Sequence, residues 1–287
     1  MDSANTDALF LRPTDIKAAL VAMDGGAVPV AGGTWVMRAS LRGDSNDQAF
    51  VSLSQIDALH EVAEGEDFLR IGALVTHDHL ADFARNLPEL GALTQAAGMS
   101  ANPAIRRTAT IGGNICARGF TAADLVPALL ALNATVEVHS SSRQDTTPIA
   151  EYLQARTQRR AAGLLTTISV PRKRGHSAHA RALLRKAGEY PIANISAFID
   201  MDANNTIKTV RIAVGAVEAM PKRWHSLEKA LLGQPFSADA ADMARDLLDD
   251  FTPRDSVDAP DWYRLRVLPG LVRQAFASIT DQSREDA

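Results

Sequence analysis

The sequence predicts an α+β protein in two parts: a domain of about 170 residues, then a smaller unit of sheet and helices. Three observations carry this. Residues 14–53 pass from helical to strand periodicity, as a small strand-helix-strand unit does. Between 60 and 171, short alternating runs and helical runs are punctuated by Gly, Pro and polar turns. A basic, small-residue segment, "RKRGHSAHARALLRKAG" at 172–188, then reads as a boundary and a solvated linker.

Each element has a local reason. "TDIKAALVAM" from Thr14 to Met23 has apolar positions at helical spacing behind a Thr N-cap, and Gly25-Gly26 end it. "AVPVAGGT" is a short buried strand running into glycines, and "AFVSL" at 49–53 is another. "HEVAEGEDFLRIGAL" alternates around Gly65 as a hairpin would. Asp78 to Ala97 is helical, interrupted at Pro88. "TAADLVPALLAL" predicts a helix, "ATVEVHSSSRQDTTPI" a strand, polar turn and strand, and "GLLTTISVP" a strand closed by Pro171. Beyond the boundary, "NISAFIDMDANNTIKTVRIAVGAV" predicts a hairpin turning at Asp202 to Asn205. Ser226 to Phe276 is helical by period, and "TDQSREDA" is a solvated tail.

Composition narrows the function. With 30 basic and 34 acidic residues interspersed, there is no positive field to hold nucleic acid or an anionic membrane. One cysteine, Cys116, permits neither an internal disulfide nor a four-cysteine iron-sulfur or zinc site within this chain. No basic-then-apolar N-terminal pattern and no apolar run of membrane-spanning length occurs, so a cytoplasmic protein is expected.

Two segments share a grammar: "PVAGGTW" at 29–35 and "TIGGN" at 110–114. In each, a β-prone residue leads into Gly-Gly and then a polar head. Glycine backbone at positive φ lets successive amides converge into a nest for an anion, and two such nests suit a pyrophosphate. Thr34, Thr110 and Asn114 can add side-chain donors. The alternative is a pair of plain turns. Neither a G-x-G-x-x-G opening a helix nor a G-K-[ST] P-loop is present. Asp124 lies three residues after Thr121, the spacing of a capping box; the other reading is a carboxylate that accepts hydrogen bonds from a polyol. His77 and His79 in "THDHL" lack a third ligand and read as surface or capping residues. Cys116, with no base beside it, reads as a small buried residue.

"AGGTWVMR" at 31–38, "RIGALVTHDHL" at 70–80, "TIGGNICARGFTAADLVPALLALNATVEV" at 110–138, "LLTTISVP" at 164–171 and "RIAVGAVEAMPKRW" at 211–224 occur in this order. Together they resemble the FAD-binding medium subunit of molybdenum hydroxylases, the xanthine dehydrogenase and carbon monoxide dehydrogenase family. The resemblance spans roughly residues 9–275.

It implies a VAO/PCMH-type FAD-binding domain over 1–172, in subdomains of about 1–56 and 57–172. The C-terminal domain, with an antiparallel sheet and helices, then covers 173–287. It implies that Ala31, Gly32, Gly33, Thr34 and Trp35 form one FAD turn and Thr110, Ile111, Gly112, Gly113 and Asn114 the other, the two gripping the pyrophosphate. Asp124 falls on the carboxylate that meets the flavin's sugar-alcohol part, and the Leu165 backbone on the isoalloxazine edge. Arg181, Arg185 and Lys186 compete as the basic residue near the flavin. The loop "GNICARGFTAAD" is one residue longer than in many relatives, with Phe120-Thr121 where Ser-Pro is usual.

The implied function is electron transfer in a dimer of heterotrimers. FAD on this chain accepts electrons from the 2Fe-2S clusters of a small subunit and passes them to an external acceptor, while a large molybdopterin subunit oxidises substrate. No catalytic acid, base or nucleophile and no metal site is expected on this chain. The alternatives are a self-contained flavin reductase using NADPH and a flavin-free assembly module of the same fold.

Overall fold

The structure, a computed structural model, describes residues 10–39, 41, 43, 48–158, 163–183, 190–237 and 240–285. It contains three sheets. β1 (Phe10–Leu11), β2 (Val28–Val30) and β3 (Phe50–Ser52) form a parallel sheet in the order β1-β3-β2, with helix Ile16–Asp24 crossing from β1 to β2. Asp15, one residue later than expected, caps that helix: its Oδ1 accepts the Ala18 amide at 2.8 Å. Ala19, Leu20, Val51 and Leu53 make a small core with Leu59 and Leu74 from the next subdomain.

The second sheet is antiparallel, in the order β4-β5-β8-β6-β7. Its strands are β4 (Val62–Glu64), β5 (Phe68–Gly72), β6 (Thr135–His139), β7 (Gln144–Pro148) and β8 (Leu164–Pro171). The hairpins around Gly65 and at 140–143 fall where the alternation placed them. Helices His77–Phe83, Gly91–Met99, Ile111–Cys116, Leu125–Ala131 and Ile149–Thr157 gather over it in the largest apolar core. Pro88 opens a short 3-10 turn between the first two, because it supplies no amide to an α-helical ladder.

The third sheet is antiparallel β12-β11-β10-β9, from β9 (His176–Leu183), β10 (Pro191–Met201), β11 (Ile207–Gly215) and β12 (Lys222–Arg223). The hairpin turns at Asp202 to Asn205, with Asn205 at φ 61°. The solvated linker expected at 172–188 is corrected. From His176 to Leu183 it is a strand, with Ser177, Ala178, His179 and Ala180 buried. Its small residues fit between helix Gly91–Met99 on one side and helix Leu268–Glu285 on the other, and this packing overrides the basic composition.

The solvated tail is corrected as well, since that last helix continues to Glu285. Gln282 Nε2 donates to Ser177 O at 3.2 Å, and Gln95 joins the two sides by donating to Ser278 Oγ at 3.1 Å and accepting the His179 amide at 2.7 Å. No helix among the described residues is long and apolar enough to cross a membrane.

Arg264 fastens the C-terminal helices to this sheet. Fully buried, its guanidinium donates to the carbonyls of Ile192 at 2.5 Å, Ala216 at 3.1 Å and Arg254 at 3.1 Å, and to Ser256 Oγ at 2.7 Å. Arg264→Met keeps the aliphatic stem and strands those acceptors. We expect a loss of about 3 kcal/mol, read as a fall of roughly 6–12 °C in the thermal midpoint followed by circular dichroism.

Candidate functional site

The three sheets meet around one cavity of about 1070 Å³, at the large end of the roughly 300–1,000 Å³ that holds small molecules and cofactors. The segment after β2 forms one wall. Gly33 has φ +70°, a left-handed conformation that L side chains rarely adopt. Gly32 lies against the backbone of the neighbouring segment: a Cβ there would stand 1.8 Å from Thr108 O. Among the described residues, the amides of Gly32, Gly33 and Thr34 donate to no acceptor. This first turn has the open amides expected of an anion cradle.

The second segment is built differently, and the expectation of a second left-handed glycine nest is corrected. Residues Ile111–Cys116 are a helical turn, with Thr110 Oγ1 capping Gly113 N at 3.1 Å. The amides of Ile111, Gly112 and Asn114 bond to Val75 O, Ala73 O and Thr110 O. Gly112 is needed for close packing, since a Cβ would lie 2.7 Å from Ala73 O. Neither Gly112 nor Gly113 has positive φ. Asn114 Oδ1 accepts the Leu125 amide at 3.3 Å and so caps the next helix.

Ala31, Gly32, Gly33, Thr34, Trp35, Thr110, Gly112, Gly113, Asn114, Asp124 and Leu165 all border the cavity. Ile111 does not; its side chain is fully buried in the large core. β5 pairs with β8 only as far as Thr167, so Leu165 lies past the end of that ladder. The capping box at Thr121 is absent: Asp124 itself takes the N-cap position and makes no side-chain cap bond. Its carboxylate, 2% exposed, instead receives Asn194 Nδ2 at 2.9 Å, with Arg181 Nη2 at 3.3 Å. Arg181 stands beside the cavity carboxylate; Arg185 and Lys186, the other two candidates, lie outside the described residues.

The contacts that join the wall residues escaped the sequence reading. Trp35, Phe120 and Tyr190 form an aromatic stair across the first turn, the longer loop and the start of the C-terminal sheet, with ring centroids 4.8 and 5.2 Å apart. Arg38 Nη1 donates to Tyr190 OH at 3.1 Å, and Trp35 Nε1 to Arg118 O at 2.9 Å. Arg156 donates to Ile115 O and, at 2.8 Å, to Cys116 O, closing the C-terminal end of the helical turn. Cys116 Sγ lies 3.4 Å from Tyr152 OH, and burial pushes both groups' pKa up. The signal for the stair was the aromatic at position 120 in the lengthened loop.

His77, expected as a surface or capping residue, is buried in the cavity wall with Nδ1 2.7 Å from Ser100 Oγ. Burial lowers its pKa to about 4, against a partial upward pull from Asp124 and the Thr110 backbone. Among the described residues, no His, Cys, Asp and Glu cluster suited to a metal ion occurs.

A family model described as the FAD binding domain in molybdopterin dehydrogenase matches residues 5–173. The chain belongs to this FAD-binding family. A second model, the CO dehydrogenase flavoprotein C-terminal domain, matches residues 178–279. This FAD-binding chain is 27% identical over 279 residues to the glyceraldehyde dehydrogenase medium chain of Sulfolobus acidocaldarius, covering 94% of it and 97% of that relative. It is 26% identical to the xanthine dehydrogenase FAD-binding subunit of Escherichia coli, covering 86% and 87%. Its fold is that of a chain in the crystal structure of the Cu,Mo-CO dehydrogenase, with a TM-score of 0.85, 24% identity and 95% and 97% coverage.

The residues present fit FAD. The cavity is cofactor-sized, the amides of Gly32, Gly33 and Thr34 await an acceptor beside a Cβ-free surface, and His77 Nε2 is buried at the wall with no hydrogen-bond partner among the described residues.

His77 also gives the flavin-free protein a pH signature. Its folded pKa, about 4, lies below the unfolded 6.5, so the unfolded chain binds the extra proton between these values. The stabilisation is full above pH 6.5 and is lost as pH falls towards 4, by about 3 kcal/mol in all. In urea titrations, His77→Asn, which retains a partner for Ser100, should show a shallower fall in stability over that window than the parent chain.

Proposed function

We propose that this chain, a FAD-binding medium subunit of a molybdenum hydroxylase, is the electron-transfer station of its complex. Electrons arrive from 2Fe-2S clusters on a small subunit and leave to an external acceptor, while a large molybdopterin subunit oxidises the substrate. The single cysteine supports this division, because a cluster held by four thiolates cannot be ligated by this chain alone. Bound FAD supplies an isoalloxazine ring that exchanges one or two electrons.

The observation that carries the reading is the cavity walled by both glycine segments, with unpaired amides on the first. In this reading Gly32, Gly33 and Thr34 hold the diphosphate, assisted by the Thr110 hydroxyl and Asn114 Nδ2. Asp124 holds the sugar-alcohol part, and the backbone at Leu165 meets the ring edge. Ala31, Trp35, Gly112 and Gly113 shape the walls, and Ile111 supports them from behind. The residues bind, orient and exclude water. No acid or base of this chain is assigned to the electron transfer. The FAD-binding domain takes 1–172 and the C-terminal domain 173–287, a division supported by family matches that end at 173 and begin at 178. The complex is a cytoplasmic dimer of heterotrimers, and its relatives' names, medium chain and FAD-binding subunit, support the partner classes.

Native mass spectrometry of the complex captured with this chain tests the assembly: large and small subunits with one FAD per chain are expected, and a lone flavoprotein would refute it. Gly33→Val tests the cradle. A β-branched residue is strained at φ +70°, so the variant should purify folded but without bound flavin absorbance.

A further inference from the structure

Asp124 stands where the FAD-binding domain meets the C-terminal sheet, and the donors around its carboxylate come from that sheet. Asn194 Nδ2 donates to Oδ1 at 2.9 Å, His179 Nε2 stands 3.5 Å from the same oxygen, and Arg181 Nη2 is 3.3 Å from Oδ2. Asn194 lies opposite Arg181 and Ser196 opposite His179 in the β9/β10 ladder, so alternate residues of two strands present one polar face. Ser196 Oγ holds His179 Nδ1 at 2.8 Å. Asn194, His179 and Ser196 are all buried.

A buried ionic cluster is seldom the most stable way to join two domains, since apolar packing of the same volume does as well or better. The same junction uses apolar packing nearby, where Phe198 and Ala213 of this sheet enter the large core. The polar face therefore calls for a role beyond cohesion. A carboxylate offers about four acceptor positions. Asn194 and Arg181 meet Asp124 from the sheet with the His179 ring alongside, which leaves acceptor capacity on its cavity side.

We infer that Arg181, His179 and Asn194 are positioning residues of the FAD site: they fix the Asp124 carboxylate so that its remaining acceptor position meets hydroxyl groups of the cofactor. FAD affinity is then set partly by the C-terminal domain, although the glycine segments lie in the other. The inference rests on the proposed FAD cradle.

The test is a double-mutant cycle on the full chain stripped of flavin, with FAD dissociation constants from fluorescence quenching and folding checked by circular dichroism. Asp124→Asn and Arg181→Met should each weaken FAD roughly 10- to 100-fold, as loss of a hydrogen bond to a charged group does. Because Arg181 acts through Asp124, the double variant should bind no more weakly than the weaker single, and Arg181→Lys should restore most of the affinity. If Arg181→Met fails to fold, the cycle is run with Asn194→Leu, and the same non-additivity is expected. Wild-type affinity in the Arg181 or Asn194 variants, or fully additive losses, would overturn the inference while leaving the FAD cradle standing. A wild-type chain that takes up no FAD would overturn both.

Discussion

The site depends on two stretches of main chain touching with no side chain between them. Gly32 rests on the Thr108 carbonyl at a distance that excludes any Cβ, and this seats the first glycine turn directly on the segment leading into the helical turn at 111–116. Gly112 repeats the device one layer down, against the Ala73 backbone. Both contacts are steric, so alanine, the smallest alternative, already violates them. With the two segments in register, Trp35 reaches the Arg118 carbonyl and the aromatic stair forms.

The two segments divide their labour. The helical turn satisfies its amides through Val75, Ala73 and Thr110 without a ligand, whereas among the described residues the first turn leaves three amides open. An open amide at a cavity wall is tolerated because solvent can reach it; when the cavity fills, a ligand must replace that solvent with an acceptor of its own. The diphosphate proposed for this wall is an anion of that kind.

Apolar cores hold each sheet to its helices, and polar groups cluster where the cores meet. Asp124, His179, Asn194 and His77 are all buried at or beside the cavity. His77 keeps one partner, Ser100, and the Asp124 carboxylate meets Asn194 and Arg181, which offsets part of the cost of burying these groups.

Much of the local structure was legible in the sequence: the hairpins, the interruption at Pro88, the turn at Asn205, and the motifs that place the chain among FAD-binding subunits. These follow from period, turn chemistry and the φ freedom of Gly and Asn, which act within a few residues. The segment at 172–188 misled because its arginines and lysines read as solvated, while its small residues Ser177, Ala178 and Ala180 were the ones that mattered to packing. His77 misled in the same way. Pairing His179 and Arg181 with Asn194 and Ser196 requires strand register, and turning that face onto Asp124 requires the docking of two domains. The sequence by itself determined the hairpins, the break at Pro88 and the family, because those are properties of neighbouring residues. Only the tertiary structure decided that one glycine pair is an open cradle and the other a closed helical turn, because the partners of those amides, Val75 and Ala73, come from a distant strand end.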